Sequence, residues 1–273
     1  MAILISLIIL LILLYLLALR GRKGHPGLEP LRGWYYAHRG LFGGHIPENS
    51  LAAFRAALDA GYGIELDVHL LKDGTLAILH DSDLKRVTGR EGVIEDLTAD
   101  DLADCHLNGT DQTIPTFSQV LELFQGRAPM IVELKPWKGN HAALCQAACR
   151  MLEGYSGVYC LESFDPQCVL WLKQNRPHLV RGQLCEDFLH RLKGKKPWLI
   201  RFLGTYHLQT FLTRPDFIAC RFSDRRNLSN FLIRKLWGIQ GVTWTVDREA
   251  DFRQALQEGW IPIFESIRPA PQK

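Results

Sequence analysis

Two acidic side chains share one face of a short apolar strand in the first third of the chain. In GIELDVHL, residues 63–70, Glu65 and Asp67 alternate with aliphatic residues. Side chains at positions i and i+2 of a strand point the same way and lie about 6.6 Å apart along it. Two unpaired carboxylates in a water-poor site repel each other and are costly to desolvate, and a bound cation removes that cost. Carboxylate oxygens suit Mg²⁺ or Ca²⁺ better than Zn²⁺, so the strand predicts a site for one such divalent ion.

A hairpin signal after this strand brings a histidine toward the acids. Asp73-Gly74 lies between two alternating apolar runs, which is typical of a two-residue turn. With these two residues at the turn, Asp67 pairs with His80, and directly paired side chains share a face at roughly 5 Å between Cβ atoms. The local sequence therefore predicts a cluster of Glu65, Asp67 and His80. The alternative, a solvated hairpin face with incidental charges, is disfavoured by the aliphatic residues that line up with the histidine.

The elements that must position these residues are short strands that alternate with helical patterns from Trp34 onward. The strand candidates are WYYAH, GIELDVHL, MIVELK, VYCLESF, VRGQL, FIACRF, GVTWTV and WIPIF. This alternation implies βαβ units and a parallel sheet, and eight such strands predict an α/β fold closed as a (β/α)₈ TIM barrel. A doubly wound open sheet is the alternative, but no glycine-rich phosphate turn follows the first strand.

Polar and aromatic residues collect at the carboxyl ends of the predicted strands. Barrel enzymes place their active sites at this end. Because several different strands contribute, the pattern predicts an active site there. The residues concerned are His38, Arg39, Glu65, Asp67, Glu133, Lys135, Ser163, Trp244 and Thr245.

The overall composition describes one single-core domain with little charge bias. The chain has 273 residues, 47% of them hydrophobic, and a net charge of +3 from 32 basic and 29 acidic side chains. No long run of like charge occurs, so nucleic acid is not an expected partner. The seven cysteines form no C-x-x-C pair, which favours reduced thiols over a disulfide framework.

The N-terminus departs from this composition, because residues 2–19 carry no charge. As a helix at 1.5 Å per residue they span about 27 Å, and residues 1–20 are therefore predicted to be a transmembrane anchor. A cleaved signal peptide is the alternative, but the basic residues follow the apolar run instead of preceding it. That placement favours a single-pass membrane protein with its catalytic domain in the cytoplasm. The Gly- and Pro-rich residues 21–33 are expected to be a linker, and residues 34–273 the barrel.

The segment from His38 to Asp81 resembles the signature of the glycerophosphodiester phosphodiesterase family. It contains HRG, PENS, ELD, DG and HD in that order, and VELK, SF and WTV follow at residues 132–135, 163–164 and 244–246. The resemblance covers nearly everything after the predicted linker. It implies a (β/α)₈ barrel with a short insertion after the second strand, roughly residues 82–115.

The resemblance also implies roles in acid–base catalysis, ion binding, substrate binding and bracing of the site. It assigns acid–base catalysis to His38 and His80, and ion binding to Glu65, Asp67 and Glu133, with His80 touching the ion in some members. It assigns substrate binding to Arg39, Lys135, Phe164 and Trp244, and bracing of the site to Glu48 and Asn49. These residue types fit the chemistry, because a cation and an arginine neutralise a phosphodiester while histidines move protons near neutral pH. Two simpler interpretations stay open, a plain ion pair between Glu133 and Lys135 and a core position for Trp244.

The last strand departs from the family pattern. It reads IPIFESIRP over residues 261–269, where the family more often has a Thr-Asp pair before the proline. The Phe264, Glu265 and Ser266 that stand there change the shape and charge of one side of the pocket. The departure removes none of the ion-binding or acid–base positions.

Three functions are compatible with these observations. The first is a metal-dependent phosphodiesterase that hydrolyses glycerophosphodiesters to glycerol 3-phosphate and an alcohol by His/His acid–base catalysis. The second is a lysophospholipase D, which uses the same residues to release the headgroup of a lysophospholipid. The third, an inactive lipid-binding barrel, predicts the loss of at least one acid–base or ion-binding residue, and the sequence has lost none.

Overall fold

Eight parallel strands close into a barrel around the residues singled out by the sequence. The structure of the protein, a computed structural model, describes residues 1–271. Its strands are β1 (Tyr36–His38), β2 (Gly63–Leu70), β3 (Leu76–Ile78), β4 (Met130–Leu134), β5 (Tyr159–Ser163), β6 (Arg181–Cys185), β7 (Phe217–Arg221), β8 (Gln240–Val246) and β9 (Trp260–Phe264).

The helices lie between the strands and outside them. They are α1 (Ala2–Ala18), α2 (Leu51–Asp59), α3 (Lys85–Thr88), α4 (Phe117–Phe124), α5 (His141–Leu152), α6 (Pro166–Asn175), α7 (Phe188–Arg191), α8 (Trp198–Thr205), α9 (Thr210–Thr213), α10 (Leu228–Lys235) and α11 (Glu249–Gln257). Short 3₁₀ helices cover Pro26–Leu31, Ile94–Asp96, Asp100–Asp104 and Phe222–Asp224.

The barrel is closed by the first strand, which pairs with both neighbours. Tyr36 lies beside Gly63 of β2 on one side and beside Ile263 of β9 on the other. The remaining parallel strands follow in chain order, and β3 pairs with β2 in the antiparallel sense. The prediction of an eight-stranded parallel barrel is confirmed, and each predicted barrel strand is present.

The alternation in β2 separates a core face from a site face. Ile64, Leu66 and Val68 are fully buried among helix residues such as Phe54 of α2, while the intervening acids point into the barrel. Local signals fix the flanking helices. The Ser50 hydroxyl accepts a hydrogen bond from the backbone of Ala53 at the start of α2, a cap of the kind that contributes about 1 kcal/mol.

The hairpin after β2 differs from the predicted register by one residue. The Leu71 amide donates to the Thr75 carbonyl, so the turn has three residues instead of two. Gly74 in this turn adopts a φ of +89°, and the Leu79 amide, not that of His80, donates to the carbonyl of Asp67. His80 is therefore not the direct partner of Asp67, and it reaches the site from the segment that leaves β3.

An excursion lies between β3 and α4, where the resemblance implies an insertion. It contains α3 and two of the 3₁₀ helices and has a small apolar core of its own, which includes Leu84, Ile94 and Leu107. His69, at the end of β2, is buried against it with Nδ1 2.7 Å from a carboxylate oxygen of Glu95. This contact anchors the excursion to the barrel rim.

The N-terminal helix is shorter than the predicted anchor. Helix α1 (Ala2–Ala18) has 17 residues, so it does not extend over all of the predicted residues 1–20. Among residues 1–271, none of the helices combines the length and the apolarity that a membrane crossing requires, and the structure therefore does not support the transmembrane anchor predicted over residues 1–20.

The segment predicted as a linker packs against the barrel. Within residues 21–33, Leu28 and Leu31 of the 3₁₀ helix are buried beside the fully buried Tyr36. The Arg22 side chain bonds to the buried carboxylate of Asp216. The predicted division at residue 34 stays a prediction, and its C-terminal limit, residue 273, lies outside the described residues.

Candidate active site

A cavity of about 360 Å³ opens at the carboxyl ends of the barrel strands. It collects most of the residues predicted from the sequence, and Asp67 lies buried against it. The cavity is lined by His38, Arg39, Glu65, His80, Glu133, Lys135, Glu162, Phe164, Leu184, Glu186, Arg221, Trp244, Thr245 and Ile263.

Three carboxylates from two neighbouring strands converge beside the cavity. Asp67 of β2 lies in register with Glu133 of β4, and Glu65 lies two residues earlier on β2. One oxygen from each of the three carboxylates lies within 4.8 Å of the others, and all three residues are buried. The predicted grouping of Glu65, Asp67 and Glu133 is thus present in the structure.

The carboxylates are held in different protonation states. Burial, and then the charges of Asp67 and Glu133, raise the pKa of Glu65 well above its ordinary value. Burial also raises the pKa of Glu133 to about 7, although Lys135 opposes the shift. For Asp67 the effect of burial is outweighed by nearby cations, and its pKa lies well below the usual range. A cluster of oxygen donors that holds protons against its own repulsion fits a divalent cation such as Mg²⁺ or Ca²⁺.

The Lys135 ammonium lies between two of the three acids. Its Nζ is 3.0 Å from Asp67 Oδ1 and 2.8 Å from Glu133 Oε1. Both acids raise the pKa of Lys135 beyond its ordinary value despite burial, so the side chain is charged. The simpler interpretation of an ion pair between Glu133 and Lys135 describes this contact, and the same lysine also lines the cavity.

His38 ends β1 between two acidic residues. Its Nδ1 lies 2.7 Å from Glu265 Oε2, and its Nε2 lies 4.0 Å from Glu65 Oε2. Burial lowers the pKa of His38, while the Glu265 hydrogen bond raises it in part. The imidazole is therefore neutral at pH 7 and held in one orientation, as a general base requires.

The turn after β1 uses an unusual backbone to place Arg39. Arg39 has a φ of +53° and Gly40 a φ of +81°, which leaves the Arg39 amide free to donate to Glu65 Oε2 at 3.1 Å. The Arg39 guanidinium lies 2.9 Å from Glu48 and 3.6 Å from Asp67. Asn49, also at a φ of +53°, donates from Nδ2 to Asp67 Oδ2 at 2.8 Å. Glu48 and Asn49 thus hold Arg39 and Asp67, as the resemblance implies.

His80 reaches the cavity from the segment after β3. Its Nδ1 lies 2.7 Å from Asp81 Oδ1, and Asp81 in turn bonds to Arg86. Burial and the charges of Lys135 and Arg39 lower the pKa of His80 to about 4, although Asp67 opposes the shift. The neutral ring has an available nitrogen that suits either proton transfer or an ion.

An aromatic wall closes the other side of the cavity. The rings of Phe164 and Trp244 meet edge to face with centroids 5.6 Å apart. Arg221 lies over the Trp244 ring at 5.0 Å and 3.7 Å from Glu186. Trp244 is only partly buried and lines the cavity, so the alternative of a plain core position does not describe it.

The sequence did not single out two acidic residues of the cavity, Glu162 and Glu186, and it did not predict the contact of Glu265 with His38. Glu162 of β5 lies in register with Glu133, and burial raises its pKa well above the ordinary value. Glu265 follows Phe264, which pairs with Ala37, so barrel closure alone places it beside His38. Strand register supplies the signal for Glu162, because Asp67, Glu133 and Glu162 lie side by side on three neighbouring strands. For Glu265 the signal is the pairing of β1 with β9.

The fold and the site define a TIM-barrel enzyme whose acidic and histidine side chains surround one cavity. The sequence between residues 38 and 265 matches the model of the glycerophosphoryl diester phosphodiesterase family, and the chain belongs to that family.

Relatives and solved structures agree with this membership. A glycerophosphodiester phosphodiesterase from Caldanaerobacter subterraneus is 28% identical over 236 residues, covering 82% of this chain and 89% of that protein. Another, from Bacillus altitudinis, is 41% identical over 167 residues, covering 57% of this chain and 68% of that protein. A phosphodiesterase from Oleispira antarctica, solved with its product sn-glycerol-3-phosphate, shares the fold with a TM-score of 0.69 and 23% identity, covering 88% and 94% of the two chains.

Proposed function

We propose that the protein hydrolyses glycerophosphodiesters to glycerol 3-phosphate and an alcohol. The observation that carries this proposal is that His38 and His80 line the same cavity as the carboxylate cluster. The named activity of the relatives and the bound product of the Oleispira antarctica structure support the choice of substrate. Glu65, Asp67 and Glu133 would hold one divalent cation, Mg²⁺ or Ca²⁺, which would neutralise negative charge on the phosphate.

The other side chains of the site bind the phosphate and transfer protons. Arg39 and Lys135 bind the phosphate oxygens as positively charged groups. The glycerol 2-hydroxyl attacks phosphorus and expels the alcohol, and water then opens the cyclic phosphate to give glycerol 3-phosphate. His38, neutral and oriented by Glu265, accepts the proton of the attacking 2-hydroxyl. His80 is also neutral before substrate binds, so it must take up a proton before it can protonate the leaving alkoxide. The negative charge of a bound phosphodiester favours that uptake.

Removal of the proposed base tests this function directly. Release of glycerol 3-phosphate from glycerophosphocholine is measured for purified protein with Mg²⁺, with Ca²⁺ and with a chelator. We expect activity with at least one of the two ions, none with the chelator, and a loss of about 10²–10⁴-fold for His38→Ala.

The matched control is His45→Ala, because this histidine is exposed and close in sequence. It should retain full activity. Activity that persists in His38→Ala, or an equal loss in both variants, would contradict the assigned base. No release from any glycerophosphodiester under any ion condition would contradict the function itself.

A second candidate function is a lysophospholipase D, favoured by an apolar groove beside the active site. The groove has a volume of about 250 Å³ and shares Phe164 with the catalytic cavity, and Phe188, Ile200 and Leu203 also line it. Such a groove can hold an acyl chain next to the glycerol. A Leu203→Trp substitution fills it, so this candidate predicts that kcat/KM falls for lysophosphatidylcholine but not for glycerophosphocholine. Equal effects on the two substrates would exclude it.

A further inference from the structure

The segment between β6 and β7 carries a strong basic bias. From Arg191 to Pro215 the sequence holds six basic residues and no acidic one. Three of the cations, Lys193, Lys195 and Lys196, lie in the exposed loop between α7 and α8. Within residues 1–271 none of these three lysines pairs with a carboxylate, and all three side chains are exposed to solvent.

An exposed apolar turn follows this loop directly. Trp198, Leu199 and Ile200 form the first turn of α8, and they are 59%, 58% and 56% exposed. Successive helix residues point about 100° apart, so a helix packed along one side would bury at least one of three consecutive side chains. The first turn of α8 therefore presents most of its apolar surface to solvent, and only Ile200 also lines the groove beside Phe188. The Trp198 ring stacks on Phe202 with centroids 5.1 Å apart.

The exposed turn is fixed relative to the active site. Phe188 of α7 packs against Gly204 so closely that a side chain at 204 would meet its ring at 2.6 Å. The same ring meets Phe164, which lines the catalytic cavity, with centroids 6.0 Å apart. A surface that contacts α8 would therefore lie beside the mouth of the barrel.

We propose that residues 193–200 dock the protein onto an anionic lipid bilayer. The Trp198–Ile200 turn enters the region between headgroups and acyl chains, where tryptophan is favoured. The three lysines meet the negative surface potential of the headgroups at the same time. An acidic protein partner would match the lysines but gives no reason for a bare apolar turn beside them. The inference stands on these residues and is independent of the proposed catalytic function.

A local fluorescent reporter tests the docking. All seven native cysteines are buried, so a cysteine introduced as Leu199→Cys in the full chain can be labelled selectively with an environment-sensitive dye. We expect its emission to shift to the blue and to intensify with phosphatidylcholine vesicles that contain one quarter phosphatidylglycerol. Pure phosphatidylcholine vesicles should produce a much smaller change, and 0.5 M salt should weaken the response.

The control label is placed on the opposite side of the barrel. Arg55→Cys puts an exposed label on α2 between β1 and β2, across from β6 and β7, and its emission should not change. Substitution of Lys193, Lys195 and Lys196 by Gln in the Leu199→Cys protein should weaken vesicle binding about a hundredfold. This triple variant should keep its activity on water-soluble glycerophosphocholine, because none of the three lysines lines the catalytic cavity.

Several outcomes would overturn the proposal. These are an unchanged emission with anionic vesicles, an equal change at the Arg55→Cys label, or an undiminished response in the triple Gln variant. A shift produced by monomeric lysophosphatidylcholine without vesicles would assign the turn to a substrate acyl chain instead. A shift that depends only on protein concentration would assign it to a second copy of the chain. None of these results depends on whether the enzyme is active.

Discussion

At the scale of single residues, the pairing of His38 with Glu265 governs the state of the proposed base. Glu265 Oε2 lies 2.7 Å from Nδ1 and raises the pKa of the imidazole against the effect of burial. Replacement by Glu265→Gln keeps the shape but removes the charge. We expect kcat/KM to fall about 10–100-fold through lost orientation, and the acidic limb of its pH profile to move to lower pH, because the base then protonates less readily.

This prediction is checked by measuring kcat/KM for glycerophosphocholine between pH 4.5 and 9. Glu249→Gln is the control, since Glu249 is half exposed on α11 and should leave the profile unchanged. An acidic limb that stays in place or moves to higher pH would mean that Glu265 does not set the protonation of His38.

The site residues that the sequence predicts are those whose neighbours are local or belong to a motif. Glu65 and Asp67 follow from the alternation of one strand, and the HRG and HD motifs locate the two histidines. Glu162 was missed, and Glu265 was placed at the pocket without its contact to His38, because each depends on which strands are neighbours in the closed barrel. The strand pattern predicts that eight strands close, but it does not fix the register between distant ones.

At the scale of elements, the turn that joins β1 to α2 requires glycine for two reasons. Gly40 has a φ of +81°, and a Cβ atom there would lie 2.8 Å from the Cβ of Ala53. Gly74 in the β2–β3 hairpin has a similar φ of +89°, but no atom would meet its Cβ within 4 Å. We expect Gly74→Ala to cost about 1 kcal/mol of stability from backbone strain alone. Gly40→Ala should cost about 3 kcal/mol, because crowding adds to the same strain.

Urea unfolding of the two variants measures the difference, and the kinetics provide a second readout. Because Gly40 directly follows Arg39, its substitution should also lower kcat/KM, whereas Gly74→Ala should leave kcat/KM unchanged. Equal losses of stability in the two variants would show that the close approach to Ala53 is relieved without cost.

The row of acids across β2 and β4 predicts how the protein responds to ions. Glu65 and Glu133 hold protons because their pKa values are raised, and a divalent ion must displace these protons. An ion at a hundred times its Kd stabilises the fold by about 2.7 kcal/mol, which corresponds to roughly 5–10 °C in Tm for a chain of this size. The increase should be larger at pH 8 than at pH 6, since fewer protons remain to be displaced at the higher pH.

Thermal unfolding with Mg²⁺ or Ca²⁺, compared with chelator at both pH values, checks this response. Asp67→Asn should abolish the increase, and Asp59→Asn on the exposed side of α2 should preserve it. If the ions raise the Tm of the Asp67→Asn variant as much as that of the unsubstituted protein, the carboxylate cluster is not the ion-binding site.

The elements themselves were largely predictable, and the exceptions have physical causes. Each barrel strand was apparent from its apolar run between polar segments. The β2–β3 register slipped by one residue because Lys72 joins Asp73 and Gly74 in the turn, and the Lys72 amide donates to the carbonyl of Leu97 in the excursion. A contact with a segment 25 residues away cannot be deduced from turn propensity. The length of α1 was overestimated because the charge-free run continues past Ala18, where the helix ends.

At the scale of the whole molecule, a buried histidine far from the cavity couples stability to pH. His207 is fully buried with Nε2 2.7 Å from Asn230 Oδ1, and burial lowers its pKa to about 4. In the unfolded chain the pKa of histidine is about 6.5. The unfolded state therefore binds more protons below pH 6.5, and about 3 kcal/mol of stability is lost as the pH falls from 6.5 to 4. The contribution is fully present above pH 6.5.

The free energy of unfolding between pH 4 and 8 tests this coupling. In the His207→Gln variant, the free energy of unfolding should decrease less steeply below pH 6.5, because unfolding then takes up about one proton fewer. His190→Gln, at an exposed position on α7, should not change this slope. An acidic fall that is identical in the His207→Gln variant and the unsubstituted protein would show that His207 is not the residue that titrates.

The position of the Lys135 ammonium has a consequence for the order of events in the barrel mouth. Asp67 and Glu133 already have an internal counterion, so arrival of a divalent ion is an exchange of one cation for another. A lysine displaced in this way would stay tethered within the cavity, where its charge would be available to an incoming phosphate. On the proposed function, binding of the ion would therefore favour binding of the phosphate, and binding of the phosphate would favour binding of the ion.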